Sequence, residues 1–100
     1  MEVRFRTNTL QKQYEKSENA IAAYGKQAGR KYIQRINIIK KSENIDELIS
    51  IRALRCHSLK GKRKGEWAVN LTGFYRLIFT LHGENLEIAR IEEVSKHYDD

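Results

Sequence analysis

One hundred residues suffice for a single domain, a sheet packed on helices, and leave no room for a second core. Nineteen Lys and Arg against 13 Asp and Glu give a net charge of +6 and a pI near 9.6, which favours a polyanionic partner such as nucleic acid, an anionic membrane surface or an acidic protein. A lone cysteine, Cys56, excludes an internal disulfide and a cysteine-rich metal site, and with no secretory pattern at Met1-Glu2-Val3-Arg4-Phe5-Arg6 and no bilayer-length apolar run, a cytoplasmic protein without a membrane partner is expected.

From the N-terminus, Val3-Arg4-Phe5-Arg6 alternates apolar and charged residues with period two and predicts a short strand. Leu10, Tyr14, Ile21 and Tyr24 then recur at three- and four-residue steps, with one gap at Ser17, tracing one face of a helix that Gly25 can end. A second helix is expected over 27–41, with Ala28, Tyr32, Ile36 and Ile39 or Ile33 inward, so that the two form a helical hairpin. Ser42 or Asn44 is placed to cap a short third helix carrying Ile45, Leu48 and Ile49, whose Asp46 and Glu47 complement the positive end of the helix dipole.

Strand signals follow. Over 66–71, Trp67, Val69 and Leu71 share one face and Glu66, Ala68 and Asn70 the other. Thr72-Gly73 makes a turn, and the run 74–81 sets Tyr75, Leu77, Phe79 and Leu81 together, leaving Arg76 and Thr80 on the opposite side with Phe74 and Ile78. His82-Gly83-Glu84-Asn85 reads as a second turn, 86–91 as a third strand, and 92–100 as a polar tail ending in His97-Tyr98-Asp99-Asp100. Strand, two or three helices and a three-stranded antiparallel meander predict an α+β fold of two layers over 1–100, with helices on one sheet face and the other at least partly open.

The chemistry concentrates at the start of the meander. Positions 52–76 hold seven Lys or Arg and one acid, Glu66, around the run His57-Ser58-Leu59-Lys60-Gly61-Lys62-Arg63-Lys64-Gly65. A basic loop flanked by glycines, with a histidine at its entry and Arg76 on the neighbouring strand, is suited to holding phosphates and points to RNA. Each residue also has a plainer reading. Lys60, Lys62, Arg63 and Lys64 are equally a solvated loop, and Arg76 a surface arginine paired with Glu66 or another carboxylate across the hairpin. His57 is equally a histidine bonded to a carbonyl. Its imidazole is the side chain whose ordinary titration lies nearest neutrality, which suits a base or an acid. His97 and Tyr98 are candidates for proton transfer and for stacking, or belong to a fraying terminus. Glu92 and Glu93 can orient a cation, act as a base or balance nearby lysines. Trp67, Tyr75 and Phe79 fall on the helix face and read as core, which leaves Phe74 as the aromatic for stacking an RNA base. Cys56 reads as a small buried hydrophobe.

Taken together, His57-Ser58-Leu59-Lys60-Gly61, the basic turn Lys62-Arg63-Lys64-Gly65, Trp67 and the strand Tyr75-Arg76-Leu77-Ile78-Phe79 resemble the HigB branch of the RelE/ParE toxin superfamily. These are toxins of type II toxin–antitoxin systems, also described as plasmid maintenance killer proteins. The similar stretch is the C-terminal half; the N-terminal half matches in the order of its elements.

The resemblance implies a RelE-like two-layer fold and a metal-independent endoribonuclease, without cofactor, that cuts messenger RNA on the ribosome. It implies catalytic roles for His57, Lys60 and Arg76. It also implies an antitoxin partner, commonly a small helix-turn-helix (HigA-like) protein. Where members of this branch often carry an acid-Tyr-His cluster on or just after the last strand, this chain has Glu92-Glu93-Val94 and places His97-Tyr98-Asp99 a few residues further on. Two other functions fit the same residues. One is a ParE-like inhibitor of DNA gyrase acting without catalysis; the other is a basic module that binds nucleic acid and cuts nothing.

Overall fold

The sheet is built from both ends of the chain. A computed structural model describes residues 1–96 and sets five strands side by side: β1 (Glu2–Phe5), β2 (His57–Ser58), β3 (Glu66–Asn70), β4 (Tyr75–His82) and β5 (Ile88–Lys96), in the order β1-β5-β4-β3-β2. The expected meander is β3, β4 and β5, antiparallel throughout. β1 extends it by pairing parallel to β5, from Glu2 opposite Ile88 to Phe5 opposite Ile91, and β2 adds a short antiparallel edge on β3. Four helices follow β1: α1 (Asn8–Glu15), α2 (Ser17–Tyr24), α3 (Lys26–Lys41) and α4 (Ile45–Ser50). Among the described residues no helix is long and apolar enough to cross a membrane.

The helices cover one face of the sheet. Leu10, Ala20, Tyr32, Ile36, Ile39 and Leu48 interlock there with Val69, Leu71, Leu77, Phe79, Ala89 and Ile91, all buried, while Trp67 and Tyr75 pack partly buried against the same core. Tyr32 is fully buried, and its hydroxyl donates to the Leu10 carbonyl at 2.7 Å, so the large ring is accommodated without an orphaned polar atom. Cys56 belongs to this core, and burial pushes its thiol up to about 11, far from a reactive thiolate at neutral pH.

Two expectations need correction. The single helix expected over Leu10 to Tyr24 is two, because Lys16 is extended (φ −131°, ψ 114°): its N–H closes α1 on the Lys12 carbonyl, and its carbonyl opens α2 by accepting from Asn19. The gap in the apolar stripe at Ser17 marks this break. It lets α2 tilt onto α3, where Gly29 lies so close to the backbone of Ala20 and Ile21 that no Cβ fits. Of the two candidate caps for α4, Asn44 acts, accepting from the Glu47 N–H at 3.1 Å, whereas Ser42 closes α3 by bonding the Ile38 carbonyl.

The second correction concerns the polar tail. β5 does not stop at Ile91 but runs on to Lys96, past a bulge: Phe79 pairs with Ile91, yet Ile78 pairs with Glu93, leaving Glu92 as the extra residue. The core positions are therefore Ala89, Ile91 and Val94, and the change of phase made the strand look finished. Glu92 is nearly buried and pinned by the Arg90 guanidinium (Nε 2.6 Å) and the Thr80 hydroxyl (2.8 Å), while Arg6 Nε donates to its carbonyl at 2.9 Å. Burial alone would push this carboxyl up, but hydrogen bonds from Arg90 and Thr80 and the charges of Arg90 and Arg6 outweigh it and hold the group below its ordinary range. A folded value below the unfolded one gives stability that is complete above the unfolded value, about 4.3, and is lost as pH falls through the folded one. Melting curves between about pH 7 and pH 3 should thus show a drop below about pH 4 that is shallower in Glu92→Gln.

Candidate functional site

β2 has only two residues, but its register decides where the histidine sits. His57 pairs with Ala68, Ala68 with Ile78, and Ile78 with Glu93. Residues paired across strands share a face, so this row crosses the side of the sheet away from the helices. Asn70, Arg76 and Ser95 make the next row. Leu59, Ala68 and Ile78 pack together as a small apolar patch separate from the main core, on the same face of the sheet. With strands about 4.8 Å apart and a two-residue step of about 7 Å between the rows, His57 and Arg76 stand roughly 12 Å apart at their backbones.

After Leu59, whose N–H still donates to the Glu66 carbonyl at 2.9 Å, the chain leaves the sheet. Gly61 (φ 65°) and Gly65 (φ 97°) take left-handed conformations that side-chain-bearing residues adopt only with strain, and between them a 3-10 turn at Gly61–Arg63 brings the chain back as β3. The result is a cavity of about 460 Å³ lined by His57, Ser58, Leu59, Lys60, Lys62, Arg63 and Arg76.

The charges in this cavity are not equivalent. Lys60 and Lys62 are exposed and have no carboxylate partner among the described residues. Arg63 has two, Glu66 at 2.9 Å and Glu93 at 3.4 Å. Arg76 is not at the surface: only 4% of it is exposed, its Nε donates to Ser95 Oγ at 3.1 Å, and the Glu66 of the plainer reading is taken by Arg63. Packing of this kind leaves the side chain little rotamer freedom, and Arg76 lines the cavity from that fixed position. His57 is exposed, with Nδ1 2.7 Å from the carbonyl of Arg55, itself left-handed at φ 48°. A carbonyl only accepts, so Nδ1 carries the proton and Nε2 of the neutral ring is left as the basic nitrogen.

The remaining candidates lie elsewhere. Lys64 is exposed beyond the 3-10 turn and does not line the cavity. Phe74, 47% exposed, lines a different groove, with Tyr24, Lys26, Gln27 and Tyr75 among its walls, and Lys96 Nζ sits 5.6 Å from its ring centroid. It is two residues from Arg76, roughly 6–7 Å along an extended chain. His97 and Tyr98 lie outside the described residues. Residues the sequence reading passed over are Ser58 and Leu59, which line the cavity, and Ser95, which holds Arg76. The three-residue step from Ile91 to Val94 was the available sign that β5 continues far enough to supply Ser95. Among the described residues no group of three His, Cys, Asp or Glu is placed to hold a metal ion.

Comparison with known proteins gives two findings. Residues 3–93 match the HigB-like toxin family, described as RelE-like toxins of type II toxin–antitoxin systems. The fold is similar to that of the YoeB/ParE toxin from Agrobacterium tumefaciens (TM-score 0.66, 17% identity, covering 98% of this chain and 100% of that one). It is also similar to YafQ from E. coli (TM-score 0.62, 14% identity, 96% and 92%) and to a conserved hypothetical protein from Helicobacter pylori (TM-score 0.54, 14% identity, 97% and 94%). No curated protein matches the sequence. At such identities the structural likeness speaks for the α+β architecture alone.

Proposed function

Since the chain belongs to the HigB-like toxins, RelE-like toxins of type II toxin–antitoxin systems, we propose that it is a metal-independent endoribonuclease that cuts messenger RNA on the ribosome in the cytoplasm. Membership of this class implies an antitoxin partner; the partner we propose is a small helix-turn-helix, HigA-like protein. The observation that carries the enzymatic reading is the meeting of His57, Lys60, Lys62 and Arg76 around one cavity.

Cleavage in such a cavity is an internal displacement. His57 Nε2 takes the proton of the ribose 2′-hydroxyl, the 2′-oxygen bonds to the adjacent phosphorus, and the bond from phosphorus to the 5′-oxygen breaks. The products are a 2′,3′-cyclic phosphate and a 5′-hydroxyl, the latter protonated by an acid for which His97 is the candidate and Tyr98 a stacking or hydrogen-bonding neighbour. Arg76 offers a bidentate fork to the phosphorane oxygens, whose charge grows in the transition state, and Lys60 adds a second cation. Lys62 and Lys64 attract the flanking backbone, and Phe74, in its separate groove beside the end of α2, is the candidate for stacking a base outside the cavity.

Expression in growing cells tests the class. The expected result is growth arrest with loss of message and no SOS response; SOS induction with message intact selects the gyrase-inhibitor reading instead. Purified protein should cut ribosome-bound message, and its affinity for RNA should fall with salt. Lys60→Ala and Lys62→Ala should each reduce the slope of log K against log salt by about 0.7. Binding with that slope but no cleavage would replace the enzyme with a binding module.

A further inference from the structure

We propose that Glu93 is a positioning residue of this site. Acting through Arg63, it ties the 60–64 loop to the far side of the sheet, so that Lys60 and Lys62 stand at a fixed distance from Arg76. The inference rests on the ribonuclease reading for its consequence, and on the β5 bulge and two ion-pair distances for its geometry.

An unbroken alternation Ala89, Ile91, Glu93 would turn Glu93 under the helices. The extra residue at Glu92 reverses the phase, sends Val94 to the core and brings Glu93 out beside Ile78, on the face that carries the cavity. There it meets Arg63 Nη2 at 3.4 Å, while Nη1 of the same guanidinium holds Glu66 at 2.9 Å. Glu66 is three residues from Arg63 and merely closes the loop on its own strand. Glu93 is thirty residues away on β5, and its contact crosses β4. One planar fork thereby spans the loop, β3 and β5, a task that two distinct N–H directions suit and a lysine would not.

The side chains of Arg63 and Glu93 are 36% and 42% exposed, so the pair adds little to global stability. What it fixes is the loop. By charge alone a carboxylate beside a polyanion site opposes the substrate, and its removal should tighten RNA binding. The positioning role predicts the opposite sign for turnover, and that contrast is the test.

Glu93→Gln, Arg63→Gln and the double variant of the full chain should be compared on ribosome-bound message. Expected is a kcat lower by roughly 10-fold in each single variant, with KM unchanged or lower in Glu93→Gln and higher in Arg63→Gln, and a double variant whose kcat is no worse than either single, because both act on one loop. Amide hydrogen exchange should quicken over residues 60–65 in Glu93→Gln and stay unchanged in β4. Wild-type or faster cleavage by Glu93→Gln, additive losses in the double variant, or unchanged loop exchange would each overturn the proposal. If the unmodified protein cleaves no RNA, the ribonuclease reading falls on its own, and the exchange comparison alone decides whether Glu93 holds the loop.

Discussion

Replacing His57 with alanine is expected, on the proposed ribonuclease reading, to slow RNA cleavage by about 10²–10⁴-fold while leaving the fold intact. The size of the loss follows from removing a positioned proton acceptor in a reaction whose nucleophile, a ribose hydroxyl, is poor until it is deprotonated. The confinement of the loss to chemistry follows from exposure: the imidazole lies outside both apolar clusters, and its one hydrogen bond among the described residues runs to the nearby Arg55 carbonyl. The thermal midpoint should therefore stay within about 4 °C of wild type, since surface substitutions of this kind stay within about 0.5 kcal/mol. Binding of an RNA whose reactive 2′-hydroxyl is replaced by hydrogen should be unchanged within about twofold, since Arg76 and the lysines remain. Single-turnover cleavage within about threefold of wild type would remove His57 from the chemistry, whatever the cavity looks like.

Gly29→Ala is expected to destabilise the protein by about 1–3 kcal/mol and lower its melting temperature by roughly 5–20 °C. Helix propensity argues the reverse, since alanine is favoured over glycine in a helix interior by about 1 kcal/mol. Packing decides between them. An added Cβ would stand 2.7 Å from the Ile21 nitrogen and 2.8 Å from the Ile21 Cα and the Ala20 carbonyl carbon, and these are backbone atoms that cannot rotate aside. α2 would have to move away from α3 by several tenths of an ångström, and the burial of Ala20 between them would be lost. A calorimetric melting temperature above that of wild type would show that the crossing has slack and that propensity governs.

The parts of this fold that obey a period were legible from the residues. α3 followed from Ala28, Tyr32, Ile36 and Ile39, and the two-residue alternation of β3 and β4 set Arg76 on the side opposite Leu77 and Phe79. What departs from a period was not legible. Lys16 breaks a helix without proline or glycine, and the bulge at Glu92 mimics the end of a strand. The parallel pairing of β1 with β5 is a tertiary choice that no local pattern records. In the candidate site, His57, Lys60, Lys62, Arg63 and Arg76 stand out by residue type and spacing, and the cavity they share could be anticipated from the hairpin's parity. The two carboxylates on Arg63 could not, because one of them lies thirty residues along, past the point where the strand seemed to stop. Nor could the place of Phe74, which leaves the plane of β4 at the turn and faces the end of α2 instead.

Joining the first strand to the last has a consequence for how the protein is made. Glu2 must wait for Ile88 before its backbone has a partner, so the sheet cannot be finished while β5 is still to be synthesised. Until then β4 presents a bare hydrogen-bonding edge, and Arg76 lacks the serine that steadies it. Fragments terminated before residue 88 should accordingly be sticky and harmless, and toxicity should switch on late in translation instead of growing in step with chain length.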